Sequence, residues 1–426
     1  MKVLVVGGGG REHTIIWKLA QSAHKPELFA APGNAGIAQL ATCVDIKATD
    51  VEGVVRFAKE HQIDLTVVAP DDPLMLGMVD RLEAEGLKAF GPRQNAAIIE
   101  GSKVFAKNLM KKYGIPTAAY EVFDDSEKAI AYLKNTSYPT VVKAEGLALG
   151  KGVIIANDFA EAEAAVRDIM CDKVFGAAGS RVVIEEFLTG QEVSVLAFTD
   201  GKSLKPMVSA QDHKRAYDND EGLNTGGMGT FSPSRLYTQA VHEECMQNIF
   251  MPTMAAMHKE GRPFKGVLYF GLIMTKSGVK VIEYNARFGD PETQVVLPRL
   301  TTDLLDIFMA VAEERLEEQP IEWADNAAVC VVLASGGYPK AYEKGLPISG
   351  IDAAEADPDI TVFHAGTRRA GDRFVTAGGR VLGVTAVGKD LEAAIQKAYD
   401  GVAKIHFDKM HYRTDIGIRK SKPDMV

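Results

Sequence analysis

From its first residues the chain alternates short apolar runs with segments of helical period. Residues 2–6 form an apolar run, Gly7, Gly8, Gly9 and Gly10 interrupt it, and residues 11–21 place Ile15, Ile16, Leu19 and Ala20 on one helical face. The alternation continues through runs at 27–31 and 44–46, a helix over 50–61, a buried-type strand at 65–69 and a helix over 74–85. Repeated strand-helix order predicts a doubly wound parallel sheet with helices on both faces.

Near Gly101 the pattern changes to consecutive helical segments, and Ile115-Pro116 breaks the chain before a differently organised region. Strands are expected at 140–144, 153–156, 182–186, 192–199 and 204–210, with one helix over 159–170 between them. Several can pair as hairpins, so an antiparallel α+β unit is expected. A long helix near 238–259 precedes a hairpin with arms at 267–274 and 279–284 and a turn at Lys276-Ser277-Gly278. The last hundred residues read as a separate small unit, with strands at 329–334, 361–365, 373–376 and 381–387 and a final helix over 391–404. The whole is a multidomain chain of α/β and α+β parts: residues 1–101, 102–325 and 326–426.

Composition narrows the function classes. A chain of 426 residues with 46% hydrophobic residues can give each of several units its own core. The net charge is −9, with no run of Lys or Arg, which argues against nucleic acid and anionic membrane as partners. The longest apolar run, 327–334, falls short of the ~20 residues a membrane span requires, and the N-terminal run lacks a cleavage-type site. Cys43, Cys171, Cys245 and Cys330 lie far apart without zinc-type spacing; they read as core hydrophobes and reduced thiols of a cytoplasmic protein.

Gly7 to Gly10 expose backbone N–H groups at a helix N-terminus, where the helix dipole favours an anion such as phosphate. The dinucleotide spacing is absent, since Glu12 and His13 stand where a third glycine belongs, and no acid ends the second strand, so NAD is disfavoured. A turn that merely permits tight strand-helix packing stays open beside the phosphate reading. The segment from Lys143 through Gly146, Gly150 and Lys151 to Gly152 joins two apolar strands with three glycines and two lysines. It can close over a polyphosphate or be a solvated hairpin, and it is not a Walker A loop. Glu185-Glu186-Phe187-Leu188, followed by Glu192, offers backbone groups for an adenine edge and a carboxylate for ribose, or simple solvated caps.

The strongest segment is Glu283-Tyr284-Asn285-Ala286-Arg287-Phe288-Gly289-Asp290-Pro291-Glu292. Side chains alternate along a strand, so Glu283 and Asn285 share a face, and Arg287 joins them if the strand continues. One carboxylate and one amide oxygen suit Mg²⁺, which keeps waters and takes substrate phosphates; an ion pair between Glu283 and Arg287 is the structural alternative. Residues 212–232 read as a long Gly-rich polar loop at an active site, with Asp212-His213-Lys214-Arg215 at its start and Asn224-Thr225-Gly226-Gly227-Met228-Gly229 near its end.

Together these segments resemble the ATP-grasp superfamily, and within it the glycinamide ribonucleotide synthetase family. The match runs nearly end to end through Gly7 to His13, Pro32-Gly33-Asn34-Ala35-Gly36, Glu100-Gly101-Ser102-Lys103, the 143–152 loop, Asp212 to Arg215, Asn224 to Gly229 and Asn285 to Glu292. One departure stands at Ala69-Pro70-Asp71-Asp72-Pro73-Leu74, where the family carries Gly-Pro-Glu-x-Pro-Leu. The resemblance implies a doubly wound N-terminal domain, an ATP-grasp body with a mobile lid near 117–190, and a small C-terminal domain. It implies an ADP-forming ligation of glycine to 5-phosphoribosylamine through glycyl phosphate, in purine biosynthesis. Lys103 and Lys143, with Gly150 and Gly152, are then expected at the ATP phosphates, Glu185 to Leu188 at adenine, Glu192 at ribose, and Glu283 with Asn285 at Mg²⁺ or Mn²⁺. Asp212, His213, Lys214, Gly227, Gly289 and Asp290 belong to the reacting end. Chemistry adds Arg287 for the glycine carboxylate and the Gly8, Gly9 and Gly10 amides for the sugar phosphate. A monomer is expected.

Overall fold

The computed structural model describes residues 1–146 and 152–418. The expected contact at Gly150 lies outside the described residues, as does Lys151 of the same loop.

The N-terminal sheet is fully parallel. Its strands run in the order Thr42–Cys43, Glu27–Pro32, Lys2–Gly7, Leu65–Val68, Ala89–Phe90. Val3 to Val6 and Leu65 to Val68 are buried along their whole length, because helices cover both faces of the sheet: Val54, Leu74 and Leu82 lie on one, and Ile15, Ile16 and Leu19, with Leu304 and Phe308 from the body of the molecule, on the other. The strand order reverses between Lys2–Gly7 and Leu65–Val68, and the loops at Gly7 and Pro70 open at that switch point, the usual ligand crevice of such sheets. The expected helix over 74–85 is two helices, Asp71–Met75 and Met78–Ala84, because Gly77 adopts a left-handed conformation (φ +78°) and breaks the first. The edge strand lies at Thr42–Cys43 rather than at 44–46.

Two antiparallel sheets form the central region. In one, the order is Tyr120–Phe123, Val182–Glu186, Thr140–Ala144, Val153–Ala156, backed by the helices Ser126–Leu133 and Phe159–Val166. In the other it is Leu204–Pro206, Gln191–Asp200, Lys265–Thr275, Gly278–Asn285. The stretch over 212–232 is not a structureless loop. It holds the hairpin Arg215–Tyr217 with Glu221–Asn224, turned by left-handed Asn219, Asp220 and Gly222, and then the strand Gly229–Ser232.

That last strand changes the picture of the final hundred residues. Gly229–Ser232 pairs with Ala327–Ala334, and the sheet continues through Arg380–Gly388 to Ile360–His364, with Gln211–Asp212 at its other edge. The C-terminal strands therefore share one sheet with segments that carry site residues. Cys245 and Cys330 are buried as expected, but Cys43 and Cys171 are exposed, and all four are free thiols. Among the described residues no helix is long and apolar enough to cross a membrane.

A seam of buried polar groups joins the N-terminal loop to the C-terminal sheet. The His364 N–H donates to His13 Nδ1 at 2.8 Å, and Asn34 Nδ2 donates to both Gly8 O and His364 O at 2.9 Å. His13 must be neutral to accept that bond. Burial, with His364 nearby, lowers His13 to about 3, and burial lowers His364 to about 4. Below pH 6.5 the unfolded chain takes up protons that the folded chain refuses, so stability is full above that pH and falls as the pH drops toward the folded values. Each histidine of the seam is expected to cost about 2.5 kcal/mol by pH 4.5, roughly 5 kcal/mol for the two together. Thermal melts of the wild type and of His13→Asn, which keeps an acceptor and cannot charge, check this: the variant should lose less stability on acidification, and equal slopes would sink the assignment.

Candidate active site

The signature strand owes its geometry to pairing. Gly278–Asn285 runs antiparallel to Lys265–Thr275, with Gly271 opposite Glu283 and Tyr269 opposite Asn285. A Cβ on Gly271 would stand 3.0 Å from Glu283 Cγ, so glycine leaves room for that side chain. Glu283 and Asn285 share a face, as alternation requires. The strand ends at Asn285, and Arg287 does not pair with Glu283. Its Nη2 instead meets Glu100 Oε1 at 2.8 Å and donates to Asn285 Oδ1 at 3.3 Å. Glu100 Oε2 accepts the Ala286 N–H at 2.7 Å, so this buried carboxylate from the helix Gln94–Gly101 holds the start of the signature turn at two points.

Glu283 forms no ion pair among the described residues, yet it lies in a strongly positive field. Burial pushes its carboxyl up, but Lys214, Lys143, Lys103 and Arg287 together outweigh that and bring it below the usual carboxylate range. An ionised carboxylate without a partner among the described residues, beside an amide oxygen, is a donor set suited to a hard cation.

The lysines come from three elements. Lys103 opens the helix Lys103–Tyr113 behind its Ser102 cap and donates to Gly146 O at 3.0 Å. Lys143 sits on the strand Thr140–Ala144, diagonal to Glu185 on the neighbouring strand, with Nζ 3.0 Å from Glu185 Oε1. Gly152 closes the base of that loop, its carbonyl accepting the Ala144 N–H at 2.8 Å. Glu186 accepts from the Ala119 N–H and from Lys280, both at 3.1 Å, and Phe187 beyond it is exposed. Leu188 follows outside the strand.

Lys214 pairs with Glu192 at 2.6 Å. On the same side, burial, opposed by Lys214 and reinforced by Glu292, Glu192 and Glu283, lifts Asp212 to about 7. His213 does not join this group. Its ring turns to the other side, toward Phe231 and Arg413; burial, with Arg413 adding to it, lowers it to about 4, and its Nδ1 has no hydrogen-bond partner among the described residues. The structure thus brings Asp212 and Lys214 to the cleft and withholds the His213 side chain from it.

The glycine loop adjoins the far end of the signature turn. Arg11 donates from its backbone to Asp290 Oδ2 at 3.4 Å and from Nη1 to Phe288 O at 3.0 Å. Asp290 Oδ1 accepts from Gln294 Nε2 at 2.8 Å and stands 3.5 Å from Arg380. Arg380, from the C-terminal sheet, also donates to Gly226 O at 2.6 Å and Asp290 O at 2.8 Å. Gly227 has φ +111°, and a Cβ there would stand 2.5 Å from Pro291. At Gly289 a Cβ would meet Glu292 Oε2 at 2.4 Å. Of the three expected phosphate-binding amides, Gly9 N–H is already taken by Glu12 Oε2 at 2.6 Å, which leaves Gly8 and Gly10 as the candidates.

Sequence reasoning missed Glu100 as a partner of Arg287, Lys107, Arg380, and the buried set of Glu292 with Tyr269 (2.9 Å) and Ser194 (3.3 Å). Lys107 carried a signal, since it stands one turn after Lys103 on the same helix face. Arg380 carried none.

Family models described as phosphoribosylglycinamide synthetase match the chain in three consecutive parts: the N domain over residues 1–100, the ATP-grasp (A) domain over 101–293 and the C domain over 328–419. A phosphoribosylamine--glycine ligase of Caldanaerobacter subterraneus is 49% identical over 416 residues, covering 98% of this chain and 99% of that one. Its counterpart in Halalkalibacterium halodurans is 50% identical over 417 residues, covering 98% and 96%. Among solved structures, the crystal structure of phosphoribosylamine--glycine ligase from Thermotoga maritima superposes with a TM-score of 0.86 at 34% identity, covering 97% of this chain and 100% of that one. Biotin carboxylase from Campylobacter jejuni shares the fold, with a TM-score of 0.76 at 13% identity over 98% of this chain and 94% of that one. With all three parts matched in order and the cleft built where they meet, the chain belongs to the phosphoribosylglycinamide synthetase family.

Proposed function

We propose that the protein joins glycine to 5-phosphoribosylamine at the expense of ATP, releasing glycinamide ribonucleotide, ADP and phosphate. The observation that carries this reading is the meeting of Glu283 and Asn285 with Lys103, Lys143, Lys214 and Arg287 in one cleft. A carboxylate is a poor acyl donor, because oxide would have to leave. ATP overcomes this by converting glycine to glycyl phosphate. The amine then attacks the carbonyl carbon and phosphate departs.

Phosphoryl transfer needs positioning and charge neutralisation more than a protein nucleophile. Lys103 and Lys143 bind the nucleotide phosphates, and the 185–188 segment with Glu192 holds adenosine. Glu283 and Asn285 would hold Mg²⁺ or Mn²⁺, and a divalent cation bound there would supply neutralisation of the phosphate charge. Arg287, held by its ion pair with Glu100 and by Nη1 donating to Phe288 O at 3.2 Å, is the cation that meets the glycine carboxylate. Asp212 is placed to take the proton that the attacking amine must lose. The sugar phosphate rests at Gly8 and Gly10 with Arg380 beside them. Glycyl phosphate hydrolyses in water, so the unit built on Thr140–Ala144 and Val182–Glu186 closes over the nucleotide during turnover. Four free thiols support a cytoplasmic setting.

ADP release by the purified protein tests the reading, with Mg-ATP and glycine alone, phosphoribosylamine alone, or both. Turnover is expected only with both, one ADP per amide. ATP binding without turnover would redirect the reading to a ligase of another carboxylate or amine.

A further inference from the structure

Three buried charges meet at one of the two phosphate-facing lysines, Lys143. The side chains of Lys107, Lys143 and Glu185 are 3%, 7% and 4% exposed. Lys107 Nζ pairs with Glu185 Oε2 at 2.8 Å, while Lys143 Nζ faces Oε1 at 3.0 Å in ion-pair range but without hydrogen-bond alignment. Two ammonium groups for one carboxylate leave positive charge in excess where water is scarce, an arrangement that an arriving anion completes.

The two lysines are not equivalent. Lys107 also donates to Thr117 Oγ1 at 2.8 Å, and that hydroxyl donates to Val281 O at 2.7 Å, on the strand that carries Glu283. Lys107 is therefore anchored at two points. Among the described residues Lys143 has only the misaligned contact, and it lies near the end of its strand, where the loop over 143–152 begins. Burial lowers Lys107 to about 8, with Glu185 opposing that fall, so it remains charged at neutral pH.

We propose that Lys107 is a positioning residue for nucleotide binding, holding the Glu185 carboxylate so that Lys143 stays free to turn to the nucleotide's phosphates. The proposal rests on the reading of this cleft as the ATP site. Without Lys107, Glu185 and Lys143 become each other's only partner among the described charges. Pulling Lys143 toward a phosphate would then strand a buried carboxylate, which is strongly unfavourable. With Lys107 in place, Glu185 keeps a partner after Lys143 leaves.

Calorimetric titration of the full chain with ATP, alongside the KM for glycine, tests this. Lys107→Met is expected to weaken ATP binding about tenfold and to leave the KM for glycine within about twofold, while Lys107→Arg restores most of the loss. Thr117→Val, which removes the anchor without touching a charge, shifts ATP affinity in the same direction by a smaller factor. Adding Glu185→Gln to Lys107→Met frees Lys143, so the double variant loses less than the product of the two single losses. Wild-type affinity in Lys107→Met, or losses that multiply in full, would overturn the role of Lys107. Failure of the wild type to bind ATP, or indifference of binding to Lys143→Met, would instead overturn the assignment of the cleft.

Discussion

Replacing Glu283 with glutamine is expected to lower kcat/KM by about 10³-fold, the equivalent of roughly 4 kcal/mol of lost transition-state stabilisation. The expectation follows from the charge balance of the cleft. Glu283 is ionised, free of ion pairs among the described residues, and faced by four cations. Glutamine keeps its shape and one oxygen but removes the negative charge that a divalent cation requires. The fold should be unaffected, because no protein hydrogen bond depends on that carboxylate among the described residues and Gly271 leaves its space unchanged. Steady-state kinetics over a range of Mg²⁺ concentrations, with a melting curve as control, provide the check. Normal activity with a normal melt would remove Glu283 from the metal site.

Arg287→Met should do something different: it should destabilise the protein by about 3 kcal/mol, because it leaves the buried Glu100 carboxylate without its cation. Burial pushes Glu100 up, Arg287 opposes that rise, and its second oxygen stays on the Ala286 N–H. Adding Glu100→Gln removes the stranded charge, so the double variant should regain much of the stability while staying inactive. Melting temperatures of the two singles and the double decide this. A single Arg287→Met with wild-type stability would show that the pair contributes nothing to the fold. The double variant also separates loss of activity from loss of folding, which no single change at Arg287 can do.

The parts of the fold that the sequence made legible are those set by local pattern. The run over 2–6 and the helix after it could be read because burial on both sides of a parallel strand leaves an unbroken apolar segment. Glu283 and Asn285 could be read because a two-residue period needs no knowledge of the partner strand. The rest depends on distant contacts. Glu100 reaches a backbone group 186 residues away, and Arg380 reaches Asp290 O across 90 residues, so neither leaves a local trace.

Some misses were avoidable. Asp212, His213 and Lys214 follow one another in extended chain, so alternation already puts His213 on the face opposite its neighbours, where the structure has it. The helix Ser126–Leu133 went unread although its Asp125 cap, accepting the Lys128 N–H at 2.9 Å, precedes an apolar stripe. By contrast, the hairpin over 215–224 had no pattern to betray it. Its Gly and polar residues form strands because they are clamped from outside: Arg413 holds Asp220 at 2.9 Å, and Asp415 accepts the Asn219 N–H at 2.9 Å.

The most direct test of the proposed chemistry follows an oxygen atom. Glycine labelled with ¹⁸O in its carboxylate, turned over with ATP and phosphoribosylamine, should transfer one labelled oxygen to inorganic phosphate for each amide formed. That oxygen attacks the γ-phosphorus and leaves with it when the amine adds. Amide formation with unlabelled phosphate would contradict activation through glycyl phosphate, and with it the account of the cleft.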